Sequence, residues 1–307
     1  KEYFYKSLNK LQIELNRQIY SDGIPYEGSV PYIRFILEFL ILLYLAIKNS
    51  DFEEQPFIYK YIDKISSALS CLVDSKGNIP PIGDGDDGRV MKFDEEPYLN
   101  VNETLQIAGY LTKKSISPTQ SAFSFRNWLI GNKSIQLKKL NTIESLSESG
   151  LIHLNDNIYD IWIDCGPTGL GKYGPGGHGH NDTTSLVFYF DGKAIMHDPG
   201  WFSYFQSDSI RDQYRSTFNH NTISINNKEQ ARLGSRFEIY NECFPTNTKI
   251  YKNNKQFTII CGHNGYSRID KSIFFKRIIH VSFDQIFKLK VIDIVRSKIS
   301  LSVSSHI

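Results

Sequence analysis

Residues 176–200 read GGHGHNDTTSLVFYFDGKAIMHDPG, and YRSTFNHNTISI follows at 214–225. Neutral imidazoles and carboxylates that converge on one point are the donor set of a zinc site. The candidates are His178, His180, Asp182, His197, Asp198 and His220, with Asp198 eighteen residues beyond His180. SLVFYF and KAIMH flank Asp191-Gly192, which predicts a hairpin closed by a two-residue type I′ turn. Pairing 190 with 193 places Asp198 opposite Ser185. His180 then lies five residues past that rung, roughly 17 Å away in an extended chain. It must curl back, and Gly174, Gly176, Gly177 and Gly179 supply the backbone freedom. His220 opens the next expected strand, so three separate segments can bring ligands together. The spacing also suits histidines that hydrogen-bond in a core or pair with carboxylates on one strand face, and spacing alone leaves those readings open.

These residues need a frame. Of the 307 residues, 40% are hydrophobic and 22% charged, which is globular material long enough for two cores. A net charge of +2 is too mild to imply nucleic acid. The four cysteines are scattered, with no C-x-x-C pair, and read as buried thiols ahead of structural disulfides. The apolar run Phe35–Ile47 is shorter than a bilayer span and has Arg34 and Glu38 at its start, so a buried helix is expected. From residue 1 to 131 the apolar period is helical. Leu8, Leu11, Leu15 and Ile19 share one face, and Ile58, Ile62, Ile65 and Leu69 another. Further helices are expected at 31–48, 97–112 and 118–130, the last capped by Ser117-Pro118. From about 133 the period falls to two, in strands rich in Ile, Tyr, Phe and Thr. Helices followed by strands predict two cores in series.

The stretch GGHGHNDTTSLVFYFDGKAIMHDPG with YRSTFNHNTISI resembles the central signature of the heparinase II/III-like polysaccharide lyases, a superfamily that includes alginate and oligoalginate lyases. Upstream, DGIPYEGSVPY at 22–32 and PPIGDGDDGR at 80–89 resemble segments of the helical domain of those proteins, in the same order. The resemblance implies an α+β multidomain chain: residues 1–131 as the C-terminal part of an incomplete (α/α) toroid, and 132–307 as an antiparallel β-sandwich domain, truncated. It makes His180, Asp198 and His220 the ligands of a zinc ion. It makes Tyr32, His178 and Tyr204 the catalytic residues. Glu27, Asp84, Arg89 and Arg215 become candidate substrate contacts, with Arg215 and Asn221 flanking the last ligand.

The activity so implied is β-elimination in an acidic polysaccharide that holds uronic acid, of glycosaminoglycan, alginate or capsule type. The C5 proton leaves, then the C4 oxygen, and a tyrosine suits that proton traffic if a nearby cation lowers its pKa. Periplasmic or secreted location follows from the same resemblance. Relatives also carry an Asn-His element farther upstream of the catalytic tyrosine than this chain extends, so a truncated chain is expected. A zinc-dependent glycan hydrolase, with metal-activated water, and a noncatalytic carbohydrate-binding or assembly protein are the competing readings. The acidic loop GDGDDG fails the calcium template because Gly88 takes the fifth position.

Overall fold

The computed structural model describes residues 1–91, 97–120, 125–131, 133, 135–168, 170 and 174–307. Helix α1 is Glu2–Gln18, α2 Val30–Lys48 and α3 Pro56–Leu69. The two expected apolar faces are buried at Leu8, Leu15 and Ile19, and at Ile58, Ile62, Ile65 and Leu69. Helix α2 reaches 19 residues, long and apolar enough by length and composition to cross a bilayer. Its Ile33, Leu37, Leu40 and Ile41 are instead spent inside the helical core. Helix α4 is Asn102–Thr112, beginning later than expected.

The helix expected at 118–130 is only partly present. Helix α5 covers Phe125–Ile130, and residues 121–124 lie outside the described ones. Ser117 does not cap it. That residue is fully buried and its hydroxyl donates to the Thr119 carbonyl at 2.7 Å, a local bond that competes with helix initiation.

Among the described residues, strands β1 (Ile143–Leu146), β2 (Leu151–Asp156), β3 (Tyr159–Asp164), β4 (Leu186–Phe190) and β5 (Lys193–Met196) form one antiparallel sheet in sequence order. Strand β6 is Ile223–Ile225. Strands β7 (Lys249–Asn253), β8 (Gln256–Cys261), β9 (Phe274–Ser282) and β10 (Lys288–Arg296) form a second sheet, and β11 (Val303–Ser305) pairs with β6. Ile152, Leu154, Ile161 and Ile163 of the first sheet pack against Phe257, Ile259, Ile279 and Val281 of the second, making a β-sandwich. The opposite face of the first sheet sends Leu151, Trp162 and Val187 into the helical core. Its central strands are therefore buried on both sides, and β2 loses the clean alternation of a half-exposed strand.

Polar bonds pin the helices to this sheet. Trp162 Nε1 donates to the Leu72 carbonyl at 2.8 Å. Asp22 accepts from the backbone N–H groups of Glu148 and Ser149 at 2.9 and 2.8 Å. The β4–β5 hairpin closes at Asp191-Gly192, both with positive φ (49° and 74°), as a type I′ turn requires. A bulge between Phe188 and Tyr189 shifts the register from the simple count: Phe188 faces Met196. Pairing stops there, which frees the chain at His197–Asp198 to turn toward the helices.

Candidate active site and metal centre

The site forms where the start of α2, the loop at 80–89 and the segment 178–182 run side by side. Ser29 caps α2 by accepting from the Tyr32 N–H at 3.2 Å, which sets Tyr32 in the first turn. The Ser29 hydroxyl donates to the Asp84 carbonyl at 2.6 Å, and the Asp84 N–H to the His178 carbonyl at 2.8 Å. Backbones approach closely here. At Gly83 (φ +78°) a Cβ would lie 2.5 Å from the Gly28 carbonyl oxygen and 2.9 Å from that of His178, so only glycine fits.

Tyr32, His178 and Tyr204 come together. The Tyr32 hydroxyl donates to Asp86 Oδ1 at 2.9 Å and meets the Tyr204 hydroxyl, and Tyr204 Oη lies 3.3 Å from His178 Nδ1. The Tyr32 and His178 rings meet edge to face at 4.7 Å. His178 Nδ1 also lies 3.0 Å from Asp84 Oδ2. Burial, with the charges of Asp86 and Asp84, pushes the Tyr32 phenol well above its usual range, and burial with Asp84 does the same to Tyr204. The condition set for a proton-passing tyrosine, a cation that lowers its pKa, is not met in the protein alone: both phenols are held protonated.

Behind these groups lie the histidines with metal-ligand spacing. His180 and His220 are buried, with His180 Nδ1 3.3 Å from His220 Nε2. His180 Nε2 lies 3.1 Å from Asp84 Oδ1, and His220 Nδ1 lies 2.7 Å from the Ser216 carbonyl oxygen. The carbonyl can only accept and an ionised carboxylate can only accept, so each ring carries its proton on the outer nitrogen. With both rings neutral two lone pairs face each other; against the effect of burial, Asp84 raises the His180 pKa, so in the metal-free protein a proton on Nδ1 can bridge the two nitrogens, and a metal cation can take the same place. Asp198 Oδ2 is 3.7 Å from His220 Nε2 and is a buried oxygen with no hydrogen-bond partner, while Oδ1 accepts from the Gly200 N–H at 2.9 Å. Ligand atoms of His180, Asp182 and His220 lie within 4.8 Å of one another. This donor set fits a zinc ion: nitrogen lone pairs, an unpaired carboxylate oxygen, and outer hydrogen bonds that fix both tautomers.

Three expected substrate contacts have their charged groups engaged by protein partners. Asp84 is fully buried, since its two oxygens accept from Arg211 Nη1 and Nη2 at 2.8 and 2.7 Å as well as meeting both histidines. Arg89 turns onto Asp87, with Nε 2.7 Å from Oδ1, and its side chain is 6% exposed. Arg215 is buried on Asp212 and on the Glu238 and Gly234 carbonyls, where it ties helix α6 (Asp208–Arg215) to the neighbouring loop. Glu27 adjoins the site through its backbone, whose carbonyl accepts from the His178 N–H at 2.6 Å. Asn221, next to His220, donates to the Leu186 and His197 carbonyls.

Sequence reasoning missed Arg211 and Asp86, and it passed over Asp182 in choosing three ligands. For Arg211 a signal existed: Arg211 and Arg215 lie one helical turn apart on a short amphipathic segment. Nothing in the chain, however, points Arg211 at a loop 127 residues away.

With this geometry, the family profile described as Heparinase II/III-like, C-terminal, matches residues 138–306. The chain belongs to the heparinase II/III-like family. A heparin-sulfate lyase of Pedobacter heparinus is 20% identical over 238 residues, covering 75% of this chain and 33% of the relative. The chain thus spans about a third of the length of that curated relative. Among solved structures, a heparinase III superimposes with a TM-score of 0.69 at 18% identity, over 96% of this chain and 42% of the other. A heparan sulfate lyase from Pedobacter heparinus gives 0.67 at 17%, over 95% and 41%. At such identities these two show a shared fold.

Proposed function

We propose that the chain is part of a polysaccharide lyase that cleaves a uronic-acid-containing acidic polysaccharide by β-elimination. In this reading residues 1–131 are the C-terminal part of an (α/α) toroid, residues 132–307 are the sandwich domain, and the protein works in the periplasm or outside the cell. The convergence of Tyr32, Tyr204 and His178 carries the proposal. Kinship with a heparin-sulfate lyase supports the reaction type, and a glycosaminoglycan is the favoured substrate.

Elimination moves one proton from C5 to the departing C4 oxygen. With its Nδ1–H directed to Asp84, His178 keeps the Nε2 lone pair for C5, and its side chain is 25% exposed. As the C5–H bond breaks, its electron pair becomes the C4–C5 double bond and the C4–O bond opens. Tyr32, protonated through burial, gives its proton to the leaving oxygen. The hydrogen-bonded path from His178 Nδ1 through Tyr204 returns a proton to Tyr32; it leaves His178 with its proton on Nε2, and exchange with solvent, loss from Nε2 and regain at Nδ1, restores the starting tautomer. A zinc ion would be held by His180, Asp198 and His220, with Asp182 beside them, and when bound it supplies positive charge to buried carboxylates and ties the strand ends together.

The test is the full-length protein, zinc-loaded, against heparan sulfate, other glycosaminoglycans, alginate and capsular polymers, read by the near-ultraviolet absorbance of the unsaturated uronate. Cleavage with that absorbance is expected, and Tyr32→Phe should lower kcat by roughly 10²- to 10⁴-fold, the range for lost general acid-base catalysis. Cleavage without a double bond would favour the hydrolase. Binding without any cleavage would favour the noncatalytic reading.

A further inference from the structure

Asp84 contacts both halves of the site through different oxygens. Oδ1 takes His180 Nε2 at 3.1 Å, and Oδ2 takes His178 Nδ1 at 3.0 Å. Across both oxygens lies the Arg211 guanidinium, bidentate at 2.8 and 2.7 Å, a geometry that fixes the carboxylate plane as well as its charge. Arg211 is itself held: Nε donates to the Arg236 carbonyl at 2.7 Å, and the guanidinium lies 4.7 Å from the Phe237 ring centroid and 5.3 Å from that of Tyr204. The backbone of Asp84 is clamped by Ser29 on one side and His178 on the other. Nothing in this arrangement leaves the carboxylate free to reorient.

We infer that Asp84 is the positioning residue that couples the metal centre to the proton-transfer group. By accepting the Nε2–H of His180 it turns that ring's Nδ1 lone pair toward the metal. By accepting the Nδ1–H of His178 it keeps the Nε2 lone pair for the substrate. Arg211 holds the carboxylate in a fixed plane through its two parallel hydrogen bonds. Metal and cleft then share one rigid link, and occupancy of the metal site bears on turnover without the ion touching the sugar. The inference rests on the lyase and zinc reading above. The rival is plain: Asp84 could be present only as the counter-ion of Arg211.

Two variants of the full-length protein separate these. Asp84→Glu keeps the charge but moves the oxygens by a methylene, and the double variant Asp84→Asn with Arg211→Met removes the ion pair whole. Zinc affinity is read by chelator competition, kcat and KM by release of unsaturated product, and folding by thermal unfolding. Both variants are expected to unfold cooperatively, to bind zinc about 10- to 100-fold more weakly, as when an outer partner of a ligand histidine is lost, and to lose roughly 10-fold or more in kcat with KM little changed. A folded double variant that keeps wild-type zinc affinity and kcat overturns the inference in favour of the counter-ion role. A loss confined to zinc, or confined to kcat, overturns the coupling. If the wild type releases no unsaturated product, the lyase reading falls separately, and the zinc affinities then decide the role of Asp84.

Discussion

Two groups of buried carboxylates lie on either side of His180, and they are completed in different ways. Asp84 has Arg211. Burial alone would raise its pKa, yet hydrogen bonds from His178, His180 and Arg211 hold the carboxyl well below its usual range. On the other side stand Asp164, Asp182 and Asp198. Burial pushes Asp164 well above the carboxylate range, with Asp182 and Asp198 adding repulsion. Burial also raises Asp182, and the neighbouring His220 and His180 side chains offset that rise only in part. The first group is closed, because the fold supplies its cation. Among the described residues the second group has no fixed positive side chain of that kind, which is the physical ground for placing the proposed zinc there.

The largest effect expected from this contrast is at Arg211. Arg211→Met strands the Asp84 carboxylate among two histidines in the interior, and removing one partner of a buried pair costs about 3–5 kcal/mol. Chemical denaturation would read it, and a loss below about 1 kcal/mol, the worth of a solvent-exposed pair, would break the comparison.

Zinc comes next. At roughly 100 times its dissociation constant it should stabilise the wild type by about 2.7 kcal/mol and leave His220→Ala unmoved. Equal stabilisation of both by the metal would remove the second group from consideration as a metal site.

The third prediction is one of pH. For Asp164 and Asp182 the folded pKa exceeds the unfolded value of 3.8, so the folded state holds more protons between the two; their contribution is present at acid pH and lost as pH rises through the folded pKa. Asp84 has the opposite sign, contributing above pH 3.8 and losing that contribution as pH falls below it. Asp164 and Asp182 therefore favour the folded metal-free protein more as pH falls toward 3.8, opposed by His263, whose pKa burial lowers to about 3 and which costs stability as pH falls below 6.5. Asp164→Asn should remove the Asp164 part of that slope, about 1.4 kcal/mol per unit of pKa shift lost. Denaturant midpoints across pH would show it, and an unchanged slope in Asp164→Asn would assign the pH dependence to other groups.

Much of the frame was legible because it depends on local chemistry. The period-3.6 faces at Ile58–Leu69 became α3, and Asp191-Gly192 became the turn expected of it because both residues tolerate positive φ. What failed locally failed to a nearby competitor, as when Ser117 turned its hydroxyl to Thr119 and did not cap a helix. The two-sided burial of β2 and β3 was not legible, since a strand covered on both faces loses the alternation by which strands are read. The bulge at Phe188/Tyr189 was invisible too, and it shifted the register that the simple count assumed.

By itself the sequence determined the kind of site: imidazoles and a carboxylate at strand ends, glycines that let the chain curl, and tyrosines near a helix start, all encoded in residue type and short spacing. Only the tertiary structure decided the partners. Asp84 meets His178, His180 and Arg211 across separations of 94, 96 and 127 residues. Which carboxylate ends paired and which ends wanting a cation depends on how those segments pack and on what burial denies to water, and no spacing along the chain records either.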